Sequence, residues 1–551
     1  MSANSSYMLI RGGHVIDPTN GVDAVTDLWI DRTTGRVVPA PADPEIRADQ
    51  TIDARGYVVM PGGIDIHCHI AGSKVNAARL MRPEEAHDHK PLAPGSSLRS
   101  GTRGSVPSTF STGYQYAGLG YTFAMDAAIA PLGARHAHHE LEDTPAIDKA
   151  MLILAGNNHF IMDRLGEGNH TAARDYMAWL LGVTRAYGVK AVNPGGVERW
   201  KQGGRLAWAT LDESVPGFEV TPRQILVGLA RAADELKLPH PLHLHGLNLG
   251  LPGNAASTLE LMQALNGHRA HLAHVQFMSY GGDPAQPAGM VPAVSELAEF
   301  VNSHPSLTVD VGQVMFGETT SMTADGAVGL FLHKVTGRKW HSHDVEQETG
   351  CGVVPIKYED HNLVHALQWA IGLEWFLRVS DPWRVALSTD HPNGAAFTAY
   401  PQLMALLMSK NLRDEVFTRL PAAARERSGL ADMGREYSLS EIAIVTRAGP
   451  ARMLGLSDRG HLGLGARGDV TIYHPDDDRT RMFAMPRYVI KDGQIIVDDG
   501  EIRATPAGQT LEVAPEFDDR IVPAVRDWFE RDASIAFSHF GAGSKTGEEP
   551  R

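Results

Sequence analysis

Between residues 62 and 390, eight short apolar runs alternate with helix-like segments. This alternation restricts the possible folds more than any other feature of the chain. The runs are "GGIDIHCHI" (62–70), "YTFAMDAAI" (121–129), "MLILAG" (151–156), "VKAVN" (189–193), "PLHLHG" (241–246), "HLAHVQF" (271–277), "LTVDVGQV" (307–314) and "RVALSTD" (384–390). Helical patterns such as "TAARDYMAWLLGVTRAYG", "TPRQILVGLARAADELK" and "VPAVSELAEFVNS" lie between most of them. Eight strands alternating with helices predict an α/β fold, a large (β/α)8 TIM-like barrel. Two stretches, 71–120 after the first strand and 315–383 after the seventh, read as long insertions. A doubly wound open sheet is the competing layout, and no Gly-rich phosphate loop supports it.

The flanks read differently. "YMLIRGGHVID", "DLWIDRTTGRVV" and "QTIDARGYVVMPGG" are short alternating runs punctuated by Gly, Pro and Asn, the pattern of hairpins. The same texture returns in "GARGDVTIYHPD", "PRYVIKDGQIIVDDGEI" and "TLEVAPEF". The two pieces predict one small β domain built from both chain ends. Its N-terminal part is 1–60 and its C-terminal part 454–515, with the barrel over 61–453 between them. Residues 516–551 form an extension that ends in a loose tail.

Composition excludes some functions. Net charge is −15, which disfavours nucleic acid or an anionic membrane as a partner. No run of 18 apolar residues is present, and Met1–Ser6 does not read as a secretory leader. The two cysteines, Cys68 and Cys351, are too few for a disulfide framework or an iron–sulfur cluster. A cytoplasmic protein is expected.

Barrel active sites are built at the C-terminal ends of the strands. Those ends carry His67 and His69, Lys190, His243 and His245, His271 and His274, and Asp390. Residues two apart on a strand share a face, so His67 and His69 can reach one metal while Cys68 faces away. His243 and His245 repeat that spacing. His271 and His274 are three apart and cannot both face inward on a regular strand, which makes His274, nearer the strand end, the better ligand. "HAHHE" (136–140) reads as a solvated helix face, and the histidines of "HSHD" (341–344) as either surface or support for the ligands.

Lys190 is the odd residue. A cation inside an apolar strand is costly unless it is paired or altered. An ammonium has no lone pair for a metal, but a desolvated neutral amine can add carbon dioxide. The resulting carbamate offers two oxygens and a negative charge, enough to bridge two divalent cations. Imidazole, carbamate and Asp390 together form a mixed N/O set that suits zinc.

"PGGIDIHCHI" and "GLGLGARGDVTIYHPD" resemble the amidohydrolase superfamily. Within it, "YGVKAVNPGG", "PLHLHGLNLG", "HLAHVQFMSYGGDP", "DVGQVMFGETTSMTADGA", "DVEQETGCGVVP", "HALQWAIGLEWFL" and "DPWRVALSTDHPNGAAFTAYPQLMALLMS" resemble one narrow family. That family is the A subunit of formylmethanofuran dehydrogenase, with its methylotroph relative, the A subunit of the formyltransferase/hydrolase complex. The likeness runs from about Met8 to Val513. It implies two Zn²⁺ bridged by carboxylated Lys190, with His67, His69, His243, His274 and Asp390 as the other ligands. Asp390 would also be the catalytic acid–base, and His245 would stand beside the metals against the substrate. "KWHSHDVEQETG" departs from the archaeal pattern by carrying His where Asn stands there.

The implied reaction is hydrolysis of N-formylmethanofuran, or formylmethylofuran, to formate and the free amine. It would take place in a complex with B- and C-like subunits and a formyltransferase. Two alternatives keep the same metals: the A subunit of an archaeal-type dehydrogenase working in the formate-condensing direction, and a dihydropyrimidinase- or hydantoinase-like enzyme. A non-catalytic scaffold would have no need of the full ligand set.

Overall fold

The computed structural model describes residues 6–43, 45–87, 98–202, 208–284, 286, 289–343 and 351–542. Eight parallel strands follow one another in chain order around a barrel: Gly63–Cys68, Tyr121–Ile129, Asp148–Leu154, Gly188–Val192, Leu242–His245, Ala270–Leu272, Leu307–Asp310 and Val385–Ala386. The ring closes where Cys68 bridges His391, with His69 N–H donating to the His391 carbonyl at 2.8 Å. The expected barrel is therefore the observed one. Ile64, Ile66, Phe123, Met125, Ala150, Leu152 and Ala386 share one buried apolar cluster with Met453 and Leu454. The predicted helices are present as His170–Thr184, Pro222–Glu235 and Val294–Ser303. The second of these starts on a capping box made by Thr221 and Gln224.

The two chain ends meet in a separate nine-stranded sheet. Its joint is Val470–Tyr473 paired antiparallel with Val58–Pro61, and its core holds Met8, Ile10, Ile30, Val59, Val470 and Ile472. The chain passes from this sheet straight into the barrel through Pro61-Gly62-Gly63. A Cβ at Gly62 would lie 2.2 Å from Thr122 Oγ1, and one at Gly63 2.7 Å from the Tyr121 ring, so this close crossing needs glycine. "TLEVAPEF" behaves otherwise than expected. Thr510–Leu511 pairs parallel with the start of the third barrel strand, at Lys149 and Ala150, where the fourth strand does not reach.

Part of the second insertion folds into a three-stranded antiparallel sheet, Gly317–Thr323, His341–His343 and Cys351–Tyr358, with the helix Gly326–Thr336 against it. Within the C-terminal extension, the helix Val522–Asp532 buries Val525, Trp528 and Phe529, and Trp528 meets the rings of Phe160 and Tyr176. The tail from residue 543 lies outside the described residues. Among those residues, no helix is long and apolar enough to cross a membrane.

Candidate metal centre and active site

The first strand delivers its two histidines through a break in regularity. Ile66 packs in the barrel's apolar cluster, and His67 also reaches across the barrel, to Asp310 and Lys190. Regular alternation would send these neighbours to opposite faces. The register shift between Asp65 and Cys68 resolves this, as a bulge does. Asp65 and Cys68 then point outward. Asp65 accepts hydrogen bonds from the Tyr116 and Tyr400 hydroxyls, and burial raises its pKa to about 6.

His67 stands at the centre of the cluster. Its Nε2 lies 3.1 Å from Lys190 Nζ and 3.1 Å from Asp390 Oδ1, while His69 Nε2 is 3.0 Å from that same Asp390 oxygen. On the other side of the ring, His67 Nδ1 meets Asp310 Oδ2 at 2.9 Å. The carboxylate thus favours a proton on Nδ1, so that in the neutral ring the Nε2 lone pair faces Lys190 and Asp390. Among the described residues, Lys190 forms no ion pair with a carboxylate. Burial lowers its pKa to about 8, with Asp390 opposing.

Regular alternation on the fifth strand places His243 and His245 on one face, as expected, but at different depths. His243 pairs in register with Lys190, and both its nitrogens are engaged: Nδ1 with His240 Nε2 at 3.0 Å, Nε2 with His67 Nδ1 at 3.1 Å. His245 lines the cavity above, its ring 4.8 Å from that of His274. The sixth strand ends at Leu272, and His274 takes a positive φ of 37°. This turn lets both His271 and His274 face inward, which the expectation of a regular strand over 271–277 did not allow. His271 supports the site from beneath, with Nε2 3.1 Å from Asp310 Oδ2 and Nδ1 2.9 Å from Thr308 Oγ1. Asn193, just after the fourth strand, and Asp390, beyond the end of the eighth, also have positive φ, 40° and 50°. Asn, Asp and His are the non-glycine residues that tolerate this conformation best. Gly312, φ 67°, fits between two of these turns: a Cβ there would lie 2.4 Å from His274 Cβ and 3.5 Å from Asp390 Cβ.

The electrostatics divide the histidines. Burial lowers the pKa values of His69, His243, His245, His271 and His274, keeping the imidazoles neutral as ligands must be. Burial also pushes His67 down, but the charges of Asp310 and Asp390 outweigh it and hold the pKa above its ordinary value. Burial would raise Asp390, yet His67 and His274 carry it well below the usual carboxylate range. Asp310 behaves likewise beside His67 and His271. Among the described residues, two groups bring ligand atoms close enough for an ion: His67, His274 and Asp390, and His67, His243 and Asp310. Among the described residues, the site holds three buried imidazole nitrogens with no hydrogen-bond partner, His69 Nδ1, His245 Nε2 and His274 Nδ1, and His138 Nδ1 is a fourth outside it.

The site opens into a cavity of ≈ 310 Å³, lined by His69, Lys190, His245, His274 and Asp390 at its base. Val328, Phe331 and Leu332 of the inserted helix, with Leu249, Phe277 and Met290 of the barrel loops, supply apolar walls. Lys74, beyond the first strand, also lines it.

Sequence reading missed Asp310, Asp325, His240 and Lys74. Asp310 carried the signal that exposed Lys190, a charge inside an apolar barrel strand. "HAHHE" is half as expected: His136 and His139 are exposed, but His138 is buried and bonds the Thr184 carbonyl. In "HSHD", His341 is exposed, and the His343 side chain and Asp344 lie outside the described residues.

A closed parallel barrel with a split β sheet and a His/Lys/Asp cluster at the strand ends defines a class of hydrolase. The chain belongs to the amidohydrolase family, whose model matches residues 50–497, and within it to the family of FwdA and the Fhc A subunit. Protein FwdA of Methanocaldococcus jannaschii is 42% identical over 97% of this chain and 96% of its own. The A subunit of the formyltransferase/hydrolase complex Fhc of Methylorubrum extorquens is 42% identical over 98% of this chain and 95% of its own. The crystal structure of the Methylorubrum extorquens FhcABCD complex with methylofuran matches with a TM-score of 0.92 at 40% identity, covering 98% of each chain.

Proposed function

We propose that this chain is the hydrolytic A subunit of a cytoplasmic formyltransferase/hydrolase complex, cleaving the formamide bond of N-formylmethanofuran or formylmethylofuran to formate and the free amine. The observation that carries the reading is the convergence of Lys190 Nζ and Asp390 Oδ1 on one nitrogen of His67, with His69 on the same Asp390 oxygen. The near full-length likeness to the Fhc A subunit supplies the substrate class and the partner subunits.

The residues present fit two zinc ions. His67, His69, Asp390 and carboxylated Lys190 would hold the first, and Lys190, His245 and His274 the second. His245 replaces His243 as the fifth-strand ligand in this reading, because both nitrogens of His243 are engaged below the cavity and His245 reaches it. The contact with substrate expected of His245 then becomes a ligand's role. Once bound, the metals would lower the pKa of water and polarise the formyl oxygen. Lys190 is prepared by burial: its neutral amine adds to carbon dioxide, forming an N–C bond and releasing one proton to solvent.

Asp390 accepts the proton of the attacking water as the new O–C bond forms at the formyl carbon. It then gives that proton to the leaving nitrogen as the C–N bond breaks.

The equal identity to FwdA supports a second reading, the A subunit of a dehydrogenase working towards the formamide. An affinity pull-down of the native protein separates the two. Co-purifying formyltransferase, with formate released from the formylated substrate, supports the hydrolase. Molybdopterin and iron–sulfur subunits in its place would overturn it.

A further inference from the structure

The ligand histidines need their rings fixed, and for His67 the barrel supplies Asp310. His245 has no such partner on the barrel strands. It faces a carboxylate from the inserted segment: Asp325, in the turn between Gly317–Thr323 and the helix Gly326–Thr336, places Oδ2 3.5 Å from His245 Nε2. This is an ion-pair distance at which no hydrogen bond is formed, and among the described residues Nε2 has no other partner. Asp325 is 4% exposed. Its Oδ2 accepts a hydrogen bond from Asn193 Nδ2 at 3.0 Å, and its own N–H donates to Thr323 Oγ1 at 2.9 Å. Asn193, in turn, stands three residues after Lys190 in the positive-φ turn that ends the fourth strand. A buried carboxylate is costly unless it is used, and neither the hydrolytic step nor the ligand set assigned above uses this one.

We propose that Asp325 is a positioning residue for the second metal position, fixing His245 as the Nε2–H tautomer so that the Nδ1 lone pair is the one offered to the metal. The two positions would then be backed by different parts of the fold. Asp310, within the barrel, supports the first through His67, and Asp325, from the insertion, supports the second through His245. Asn193 holds Asp325 in place and links it to the strand that carries Lys190. The consequence is asymmetry: weakening Asp325 loosens one metal of two. This inference rests on the dinuclear reading given above.

The test is metal retention by the full-length protein, loaded with zinc or cobalt and titrated with a chelator. Asp325→Ala should keep one metal per chain as tightly as wild type and lose the second at about 10–100-fold lower chelator concentration. Asp325→Asn, whose amide oxygen can still accept from Asn193 and face His245, should lose it less readily than Ala. The visible spectrum of the cobalt-loaded variants should lose the component belonging to the second ion. Ala is the decisive substitution. It removes the oxygen that both accepts from Asn193 and faces His245, and a merely structural role would loosen both metals or the fold together, not the second metal alone. Two metals held as in wild type by a folded Asp325→Ala protein would overturn the proposal. A wild-type protein that holds fewer than two metals would instead overturn the reading on which it rests.

Discussion

Asp390 and Lys190 are asked for different things, and substitution should separate them. Asp390→Asn keeps an oxygen at the ligand position and removes the proton acceptor. Metal content should stay near wild type while kcat falls by about 10²–10⁴-fold, measured as formate release; retained turnover would end the acid–base role. Gly312 tests the site without touching a ligand. Gly312→Ala puts a methyl 2.4 Å from His274 Cβ at a positive φ, so His274 must move. Metal binding should weaken at least about tenfold, and a fully metallated Gly312→Ala protein would show that His274 is not held where the site needs it. Single residues were legible where the backbone is regular. The two-residue spacing of His243 and His245 gives one face directly, and the charge of Lys190 in an apolar run marks it. His274 was legible as a strand-end histidine, but its positive φ was not, so His271 and His274 read as alternatives when both face inward. The choice between His243 and His245 depends on depth in the barrel, which periodicity does not encode.

Elements were read in place, with bounds that moved for a physical reason. The sixth and eighth strands end earlier than their apolar runs because the chain turns to aim His274 and Asp390 at the cavity. The three-stranded sheet in the second insertion was not legible, since pairing between Gly317–Thr323 and Cys351–Tyr358 is long-range. Nor was the network that joins barrel to sheet. Lys491, 1% exposed, lies 3.0 Å from Asp148 and 3.2 Å from Asp469, and Arg459 bonds Asp148 at 2.7 Å. Burial would raise Asp148, but Lys491 and Arg459 carry it below its ordinary value; the same carboxylates hold Lys491 above its own against burial. A depressed carboxylate contributes stability above its unfolded pKa and loses it as pH falls. A raised lysine contributes below its unfolded pKa and loses it as pH rises. The Asp148–Lys491 pair should therefore stabilise most between about pH 4 and 10, against the cost of Asp469, which burial holds above its ordinary value. Lys491→Met should cost about 3–5 kcal/mol at pH 7 by leaving buried Asp469 without its cation and Asp148 with Arg459 alone. That deficit, followed by chemical denaturation, should shrink as acid neutralises Asp148 and Asp469. A deficit that does not change with pH would assign the loss to packing instead.

For the whole molecule, the barrel supplies the proposed ligands, the insertion adds an apolar wall and Asp325, and the terminal sheet joins the first strand's entry through Pro61-Gly62-Gly63. The fold class was legible because eight apolar runs in step with helices have few solutions. The substrate class was not legible from spacing, and came from long motifs shared with one family. On this account the metal-loaded protein releases formate from a formylated furan-type amine and leaves hydantoin and dihydrouracil intact. Turnover of the cyclic amides at comparable kcat/KM would favour the dihydropyrimidinase-like alternative. The most direct test is diffraction from crystals of the metal-loaded protein at the zinc absorption edge. The account predicts two anomalous peaks per chain at the strand ends, with density continuing beyond Lys190 Nζ as a carboxylate between them. A bare lysine with no anomalous peak beside it would contradict the account.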